Sequence, residues 1–360
     1  MSVPDEANLH LGRALGGRFD VQEFCREGGF SLVFFGTDRT SGRAVAIKIL
    51  KLGASSSAVL EFENDAALLR LLRKASRVVT LLEDGEDSLR LSRVPVGAVV
   101  DVPVHYLVLE RADASLDELV VYRDKLSLGR RLEVFRDVVL GVHQMHIAGI
   151  VHRDIKAENC LVFQRPKQAV VKLTDLGRSK RLSEPTRFLV EDYVVGRGDL
   201  RFAPPEALWG QVGPDEVSMR RADLYLLGSV LYELVLGQAI TAVAIGAGLA
   251  MSVANWAMSV HPVDRTAEYR DKIAEVAGRY ELAFGLFEDK VPAVVEGLNR
   301  LLRQLCSPDP ALREFRGRSG RPDADLGWAL RRTDILIKRL HHAEAQAKAL
   351  AVKKRRRRGQ

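Results

Sequence analysis

The chain has 360 residues, which exceeds one typical domain and predicts one large domain or two closely packed ones. Hydrophobic residues make up 47% of it, enough for a substantial core, so general disorder is excluded. The net charge of +7 falls to +1 without the six consecutive basic residues Lys353 to Arg358, so the folded body is not a basic protein.

The cysteines and the first residues bear on location. Cys25, Cys160 and Cys306 show no metal-ligand spacing, and their odd number suits a reducing compartment. Met1 is followed by SVPDEANLH, which has no apolar core and does not predict a secretory signal. We therefore expect a cytoplasmic protein, with a nuclear location as the alternative if the source is eukaryotic.

Residues 19–110 have the pattern of strands with one inserted helix. The helix is predicted over AVLEFENDAALLRLLRK, whose spacing places Leu60, Leu68, Leu69 and Leu72 on one side. The strands are short segments rich in Val, Ile, Leu and Phe and separated by Gly, Asp and Ser. These segments are FDVQEFC, SLVFFGTD, AVAIKIL, VVTLLEDG and VPVHYLVLE.

From residue 116 onward, apolar-faced helices predominate, with brief strands only at 160–163 and 169–173. The boundary is expected in the short polar link from Arg111 to Ser115. The pattern predicts an α+β fold with a small antiparallel β-rich lobe that holds one helix, and a larger, mainly helical lobe.

One uncharged run, residues 234–254, is long enough to cross a bilayer. It is rich in Gly and Ala rather than Leu, and it has no clear basic flank on either side. A buried core helix is therefore predicted in preference to a membrane span.

Two motifs in the first part point to phosphate chemistry. Gly28 and Gly29, in CREGGFSLVFFG, would let backbone amides approach an anion, although paired glycines in a hairpin are usually only a turn. The strand AVAIK ends in Lys48, which needs an anionic partner if it is buried. The alternative is a surface lysine whose stem packs on the strand.

The segment HRDIKAEN, followed by TDLG, is more specific. Asp154 would accept a hydroxyl proton, and Asn159 and Asp175 would offer the oxygen ligands that Mg²⁺ prefers. The strands CLVF and AVVKL would form a hairpin that returns Asn159 to Asp175. Lys156 would steady a transferring phosphoryl group.

Over about residues 19–315 the motifs together resemble the protein kinase superfamily. EGGFSLV is similar to its glycine-rich loop, VAIK to its β3 lysine, HRDIKAEN to its catalytic loop and DLG to its metal-binding element. RFAPPEAL resembles the APE segment, ADLYLLGSVLYEL the central helix, and DPALR supplies Arg313 to pair with Glu206.

The resemblance implies a two-lobed fold with an N-terminal segment 1–18, an N-lobe 19–111, a C-lobe 112–316 and a C-terminal helix with basic tail 317–360. It implies an ATP- and Mg²⁺-dependent protein serine/threonine kinase, because Lys156 follows Asp154 by two residues. A pseudokinase that acts as a binding scaffold is the alternative.

The resemblance also implies roles for individual residues. The catalytic group is Asp154, Lys156, Asn159 and Lys48, and the metal ligands are Asn159 and Asp175. The structural group is Arg153, Gly177, Glu206, Asp223 and Arg313. The ATP-binding group is Glu27, Gly28, Gly29, Val33, Ala46, Lys48, Asp65, Leu109, Glu110, Ala112, Leu161 and Asp175.

The partner of Lys48 is left open by the sequence. Asp65 stands where the family has glutamate, and an aspartate is one methylene shorter, so the helix would have to lie closer. Glu61 and Glu63 are the alternatives on the same helix.

Four residues depart from the family pattern. Arg26 and Ser31 replace the first and third glycines of the loop, and Leu176 replaces the aromatic residue of the metal-binding element. Asp199 replaces a threonine, and it would either pair with Lys156 or repel the nucleotide phosphates.

The segment 177–198 offers acceptors for phosphorylation, namely Ser183 and Thr186 first, and also Ser179 and Tyr193. A phosphate there would pair with Arg153. Two acidic residues of the segment, Glu191 and Asp192, are the alternative partners of that arginine.

The C-terminal region is predicted to be a helix that packs through Leu330, Ile335, Ile337 and Leu340. Its basic tail, residues 353–358, is either a solvated end or a site for an anionic partner such as nucleic acid, an anionic membrane or an import receptor.

Overall fold

The computed structural model describes residues 4–93, 98–166, 168–184, 199–313 and 325–358. The chain divides into two compact units. The first takes in the chain up to Asp113 together with Thr174–Ser179, and the second takes in Ala114–Leu173 and the chain from Lys180 onward.

The first unit is built on an antiparallel sheet whose six strands lie in the order β1-β2-β3-β4-β6-β5. The last two strands form a hairpin in which each strand has 13 residues, far longer than the pattern predicts for the fifth strand. The second half of β5, EDSLRLSR, is mostly polar. A mostly polar segment gives only a weak signal for a strand in sequence analysis. The strands are Ala14–Leu15 (β1), Phe19–Glu27 (β2), Ser31–Asp38 (β3), Ala44–Leu50 (β4), Leu81–Arg93 (β5) and Ala98–Glu110 (β6).

The strand β4 shows why the sheet has one core face. Val45, Ile47 and Ile49 are fully buried in the apolar cluster of this unit. Successive side chains of a strand point to opposite faces, so Ala46 and Lys48 lie on the other face. Lys48 is therefore placed on the side of the sheet that this core does not fill.

Two helices complete the first unit, a short one at Asp5–Asn8 (α1) and the predicted one at Ser56–Leu71 (α2). The side chain of Ser55 caps α2 by accepting a hydrogen bond from the N–H of Ala58. The prediction for Leu60 is wrong, because 39% of it is exposed, whereas Leu68, Leu69 and Leu72 are buried.

The second unit is mainly helical. Its strands are Ala114–Ser115 (β7), Ile150–Val151 (β8), Cys160–Phe163 (β9), Val170–Leu173 (β10) and Lys180–Arg181 (β11), which pair as β10-β9-β7 and β11-β8. Its helices are Leu116–Val121 (α3), Leu128–Ile147 (α4), Pro205–Leu208 (α5), Glu216–Leu236 (α6), Ile240–Ala244 (α7), Ala247–Ser259 (α8), Pro262–Glu288 (α9), Gly297–Leu305 (α10) and Gly327–Arg358 (α11). The predicted α+β fold, with an antiparallel sheet first and helices after it, is confirmed.

The uncharged run 234–254 is not one buried helix, which corrects the prediction. Gly237 ends α6 with φ 81°, and Gly246, also at φ 81°, separates α7 from α8. This left-handed conformation is cheap only for glycine. Part of the run is exposed, including 52% of Met251. Among the helices of the described residues, none has both the length and the apolar character needed to cross a membrane.

The C-terminal helix α11 packs on α4. Leu336, Ile337 and Leu340 are buried, but Ile335 is 51% exposed, so the prediction for Ile335 is wrong. The N–H of Leu326, just before the helix, donates to His143 Nδ1 of α4 at 3.1 Å. The helix is therefore an integral part of the second unit.

Candidate active site

Lys48 is the centre of a buried charge cluster in the first unit. Its Nζ lies 2.8 Å from Asp65 Oδ2 and 2.8 Å from Asp175 Oδ1. Burial disfavours the charged lysine, but the two carboxylates outweigh it and raise the pKa of Lys48 above its usual range. One ammonium between two carboxylates leaves a net negative charge, which suits an added cation.

The sequence leaves three acids of α2 as possible partners of Lys48. Asp65 is the one that contacts it. Its Oδ1 also accepts a hydrogen bond from the N–H of Leu176 at 2.9 Å. Glu61 instead lies 3.6 Å from Arg178 Nε, and Glu63 is exposed. The shorter side chain at 65 is therefore long enough to reach both partners.

The segment after Asp175 is fixed against α2. Asp175 has φ 61°, which is unusual for a residue other than glycine. A Cβ on Gly177 would lie 2.9 Å from the carbonyl oxygen of Glu61, so glycine permits this close approach. Asn64 Nδ2 donates to the carbonyls of Gly177 and Ser179, both at 2.8 Å. Asn64 was not predicted, since only its place on α2 beside Asp65 hints at a role.

The glycine segment is held by a second lysine that sequence analysis also missed. Lys51 Nζ lies 2.6 Å from Glu27 Oε1 and 2.9 Å from the carbonyl oxygen of Gly28. It also donates to the carbonyl of Gly29 at 3.4 Å. The ring centroid of Phe30 lies 5.5 Å from Lys48 Nζ. The predicted phosphate-binding backbone is thus placed beside the predicted phosphate-binding lysine.

The two departures in the glycine segment lie on its flanking strands. Arg26 is paired with Val33 across β2 and β3. Ser31 is buried, and its carbonyl accepts the N–H of Gly28 at 2.8 Å. Neither residue replaces Gly28 or Gly29, where close approach of a ligand is predicted.

The residues predicted to hold adenine fall into both units. Val33 is paired with Lys48, and Ala46 with Leu109, so these apolar residues share the non-core face of the sheet. Leu161 lies on β9 in the second unit.

The predicted backbone contacts are at the end of β6. The N–H of Glu110 donates to the carbonyl of Thr80 at 3.1 Å, and Glu110 Oε1 accepts from the N–H of Thr80 at 2.8 Å. The N–H and Oε1 of Glu110 already bind Thr80 and are therefore not free to bind a nucleotide. Ala112 is half-buried.

In the second unit, Asp223 shapes the segment that leads to Asp154. This carboxylate, on α6, accepts the N–H groups of His152 at 2.8 Å and Arg153 at 2.7 Å. It also lies 2.9 Å from His146 Nε2. Burial alone would raise the pKa of Asp223, but these partners lower it. They hold Arg153 at φ 69°.

Asp154, Lys156 and Asn159 are brought together by that segment. Asn159 Nδ2 donates to the carbonyl of Asp154 at 2.8 Å and to its Oδ2 at 3.0 Å. Lys156 Nζ lies 3.9 Å from Asp154 Oδ2 and 3.3 Å from Glu158 Oε2. Burial disfavours the charge on Lys156, but Asp154 and Glu158 raise its pKa. The group thus combines a carboxylate with an amide that hydrogen-bonds to it and a cation 3.9 Å away.

Asp199 does not form the ion pair with Lys156 that the sequence suggests. Its Oδ1 accepts from Arg201 Nε at 2.9 Å, and its Oδ2 lies 2.5 Å from Arg201 NH2. Burial would raise the pKa of Asp199, but Arg201 lowers it. The sequence did not predict Arg201, two residues further along the chain, as the partner of Asp199.

Glu206 and Arg313 form the predicted buried pair. Arg313 is fully buried, and its NH1 and NH2 lie 2.5 and 2.7 Å from the two carboxylate oxygens. Arg313 Nε also donates to the carbonyl of Ser307 at 2.8 Å. The pair ties the APE segment to the chain beyond α10.

Only part of the predicted phosphorylation segment is described. Ser183 is exposed, whereas Ser179 is buried, which disfavours Ser179 as an acceptor. Thr186, Tyr193 and the two acidic residues at 191 and 192 lie outside the described residues. The partner of Arg153 from that segment stays a prediction.

Glu233, on α6, gives the second unit a pH-dependent stability. Burial raises the pKa of Glu233 from an ordinary 4.5 to about 7, and the N–H of Ala157 opposes this shift. The folded state thus binds the proton more tightly than the unfolded state, so ionisation costs stability as pH rises through this range.

We expect Glu233→Gln to remove this dependence. The free energy of unfolding of the variant, minus that of the parent, should grow by about 2 kcal/mol between about pH 5 and pH 8. Urea denaturation at both pH values measures it. The control is Glu216→Gln, an exposed acid on the same helix. Equal pH dependence in parent and Glu233→Gln would contradict the assignment.

Comparison with known protein sequences gives the family. The protein kinase domain model matches residues 19–314. The chain belongs to the protein kinase family. The match covers both units and contains every catalytic and metal-binding residue proposed above.

The chain is similar to named bacterial members of this family. A probable serine/threonine-protein kinase of Clostridium perfringens is 29% identical over 63% of this chain and 30% of the relative. The serine/threonine-protein kinase PknB of Mycolicibacterium smegmatis is 28% identical over 62% of this chain and 33% of the relative. The serine/threonine-protein kinase PksC of Streptomyces coelicolor is 30% identical over 66% of this chain and 41% of the relative. The match of this chain thus spans less than half the length of each of these relatives.

Proposed function

We propose that this chain is a protein serine/threonine kinase that transfers the γ-phosphoryl group of ATP to a protein hydroxyl. The observation that carries the proposal is the buried Lys48, held by both Asp65 and Asp175. The relatives are named serine/threonine-protein kinases, and Lys156 occupies the position expected for that class.

The residues suit Mg²⁺ in charge and in donor type. Asp175 carries excess negative charge, and 37% of its side chain is exposed. The amide nitrogen of Asn159 donates hydrogen bonds to Asp154. In the described part of the chain, the amide oxygen of Asn159 makes no hydrogen bond. Asp175 and Asn159 would hold the ion, which neutralises phosphate charge when bound.

Each protein group has a stated task. Lys48 would bind the α and β phosphates, with the glycine segment around Gly28 covering them. Asp154 would orient the substrate hydroxyl and accept its proton as the oxygen–phosphorus bond forms. The bond from the γ-phosphorus to the bridging oxygen then breaks, and ADP leaves. Lys156 would balance the charge on the transferring group.

The scaffold alternative loses its structural support. Asp65, although shorter than glutamate, makes the ion pair with Lys48. Asp199 is neutralised by Arg201 and so has no unmatched charge with which to repel a nucleotide. None of the four departures replaces a residue that we propose to act in catalysis or to bind the metal.

The cysteines and the basic tail suggest where the protein is located and what it binds. The three cysteines are free, which is consistent with a reducing compartment such as the cytoplasm. The basic tail, residues 353–358, would bind an anionic partner.

Transfer of labelled phosphate tests the function directly. The chain is incubated with γ-labelled ATP and Mg²⁺, alone and with a generic basic protein, and the labelled amino acids are identified after hydrolysis. Phosphoserine or phosphothreonine that depends on Mg²⁺ supports the proposal. ATP binding without any transfer would instead favour the scaffold.

We expect Asp65→Asn to lower kcat/KM by about a hundredfold, because Lys48 loses a charged hydrogen-bond partner. The initial rate of labelled-phosphate transfer measures it. The matched control is Glu63→Gln, an exposed acid on the same helix, which should change the rate by less than about twofold. Equal losses in the two variants would remove Asp65 from the site.

A further inference from the structure

A groove between α10 and α11 lies apart from the catalytic residues in sequence. It has a volume of about 280 Å³ and is lined by Gly297, Arg300, Arg332, Ile335, Leu336 and Arg339. Of its two large apolar residues, Ile335 is 51% exposed and Leu336 is buried. The groove therefore combines an apolar floor with three guanidinium groups.

The arginines make the groove strongly positive. Arg332 is held in place by Gln304 Oε1, 2.6 Å from its NH1, and by the ring of Trp328, 5.1 Å from its guanidinium carbon. Burial, and then the charge of Arg300, lower the pKa of Arg332. These like charges repel one another, so a bound anion would relieve the repulsion.

Arg303, a neighbouring arginine, is neutralised, but Arg300 and Arg339 at the rim of the groove are not. Arg303, also on α10, pairs with Glu281 at 2.6 Å and with Glu288 at 3.8 Å. In the part of the chain that the structure describes, neither Arg300 nor Arg339 takes part in an ion pair or hydrogen bond. Two exposed guanidinium groups thus remain for an external anion.

We propose that this groove docks an acidic segment of a protein substrate. Its carboxylates or phosphates would bind Arg300 and Arg339, and an apolar side chain next to them would pack on Ile335. The groove lacks the exposed aromatic rings on which single-stranded nucleic acid stacks, and Trp328 is buried. That the bound segment belongs to a substrate depends on the proposed kinase function. Binding of an acidic segment in the groove does not depend on it.

Binding is measured first, without ATP, so that the result is independent of catalysis. The probe is a fluorescein-labelled Glu-rich peptide with one leucine, followed by anisotropy with the full chain. The test variant is Arg300→Ala/Arg339→Ala, which removes two exposed side chains. We expect the dissociation constant to rise by about tenfold, as two partly exposed charge contacts are lost.

The control is Arg331→Ala/Lys338→Ala. It removes the same charge from exposed positions of α11 that do not line the groove, so it should change affinity by less than about twofold. Equal weakening in the two double variants would mean a diffuse charge effect and would overturn the site. Unchanged binding in Arg300→Ala/Arg339→Ala would also overturn it.

Competition and kinetics complete the test. A short RNA or phosphatidylserine vesicles that displace the peptide, and that bind more tightly through the same arginines, would overturn the assignment to a protein segment. A substrate fused to the Glu-rich peptide should show a KM lowered by about tenfold with kcat unchanged, and the double variant should abolish this gain. An unchanged KM, with transfer active, would overturn the docking role alone.

Discussion

Replacing Asp154 by asparagine is expected to lower the rate of phosphate transfer by about a thousandfold, as is typical when a positioned base is removed. Asparagine keeps the size of the side chain and can still contact Asn159, so the loop geometry is retained. It cannot accept the proton of the attacking hydroxyl. The expected loss is therefore in kcat, with little change in KM for ATP.

Initial rates at saturating ATP measure this effect, and an unchanged melting temperature shows that the fold is intact. The comparison variant is Asp199→Asn, which removes a neighbouring carboxylate that is already paired with Arg201. It should cost less than about tenfold, and a rise in activity would show that Asp199 repels the nucleotide after all. An Asp154→Asn protein with more than a tenth of the parent rate would contradict the role of Asp154 as base.

Replacing Arg313 by methionine is expected to lower the free energy of unfolding by about 3–5 kcal/mol. The fully buried guanidinium binds both oxygens of Glu206, so its loss leaves a carboxylate in the interior without its main partner. The carbonyl of Ser307 also loses a donor. A decrease in melting temperature of about 10 °C should accompany the change.

Thermal and urea denaturation measure the destabilisation. The matched control is Arg303→Met, because Arg303 is only half-buried and its pairing with the exposed Glu281 contributes little, less than about 1 kcal/mol. The double variant Glu206→Leu/Arg313→Met should recover part of the loss, since no charge then remains buried. If the double variant is no more stable than Arg313→Met, burial of an unpaired charge is not the cause.

The sequence predicted the fold class better than it predicted the packing. Motif order placed Lys48, Asp154 and Asp175 on the expected elements, because those residue types are required by the chemistry. It did not distinguish the partner of Lys48, since Glu61, Glu63 and Asp65 all lie on α2 and only the rotation of that helix selects one. Helix rotation depends on tertiary contacts, which periodicity alone does not give.

The residues that were missed share a physical reason. Asn64, Lys51 and Arg201 bind backbone carbonyls or a carboxylate nearby in the fold. Such polar contacts leave no apolar period in the sequence. The exposed Ile335 and Leu60 show the opposite error, because an apolar residue near the edge of a helical stripe was assigned to the core.

The backbone at Arg153 links activity to the completeness of folding. A left-handed conformation costs a residue other than glycine about 1–2 kcal/mol, so an isolated loop would relax out of it. Asp223, 70 residues further along the chain, helps to hold Arg153 there by accepting its N–H. A nascent or partly unfolded chain in which α6 has not docked would lack the shaped loop. Such a chain would carry Asp154 on a loop that lacks the backbone shape of the folded protein.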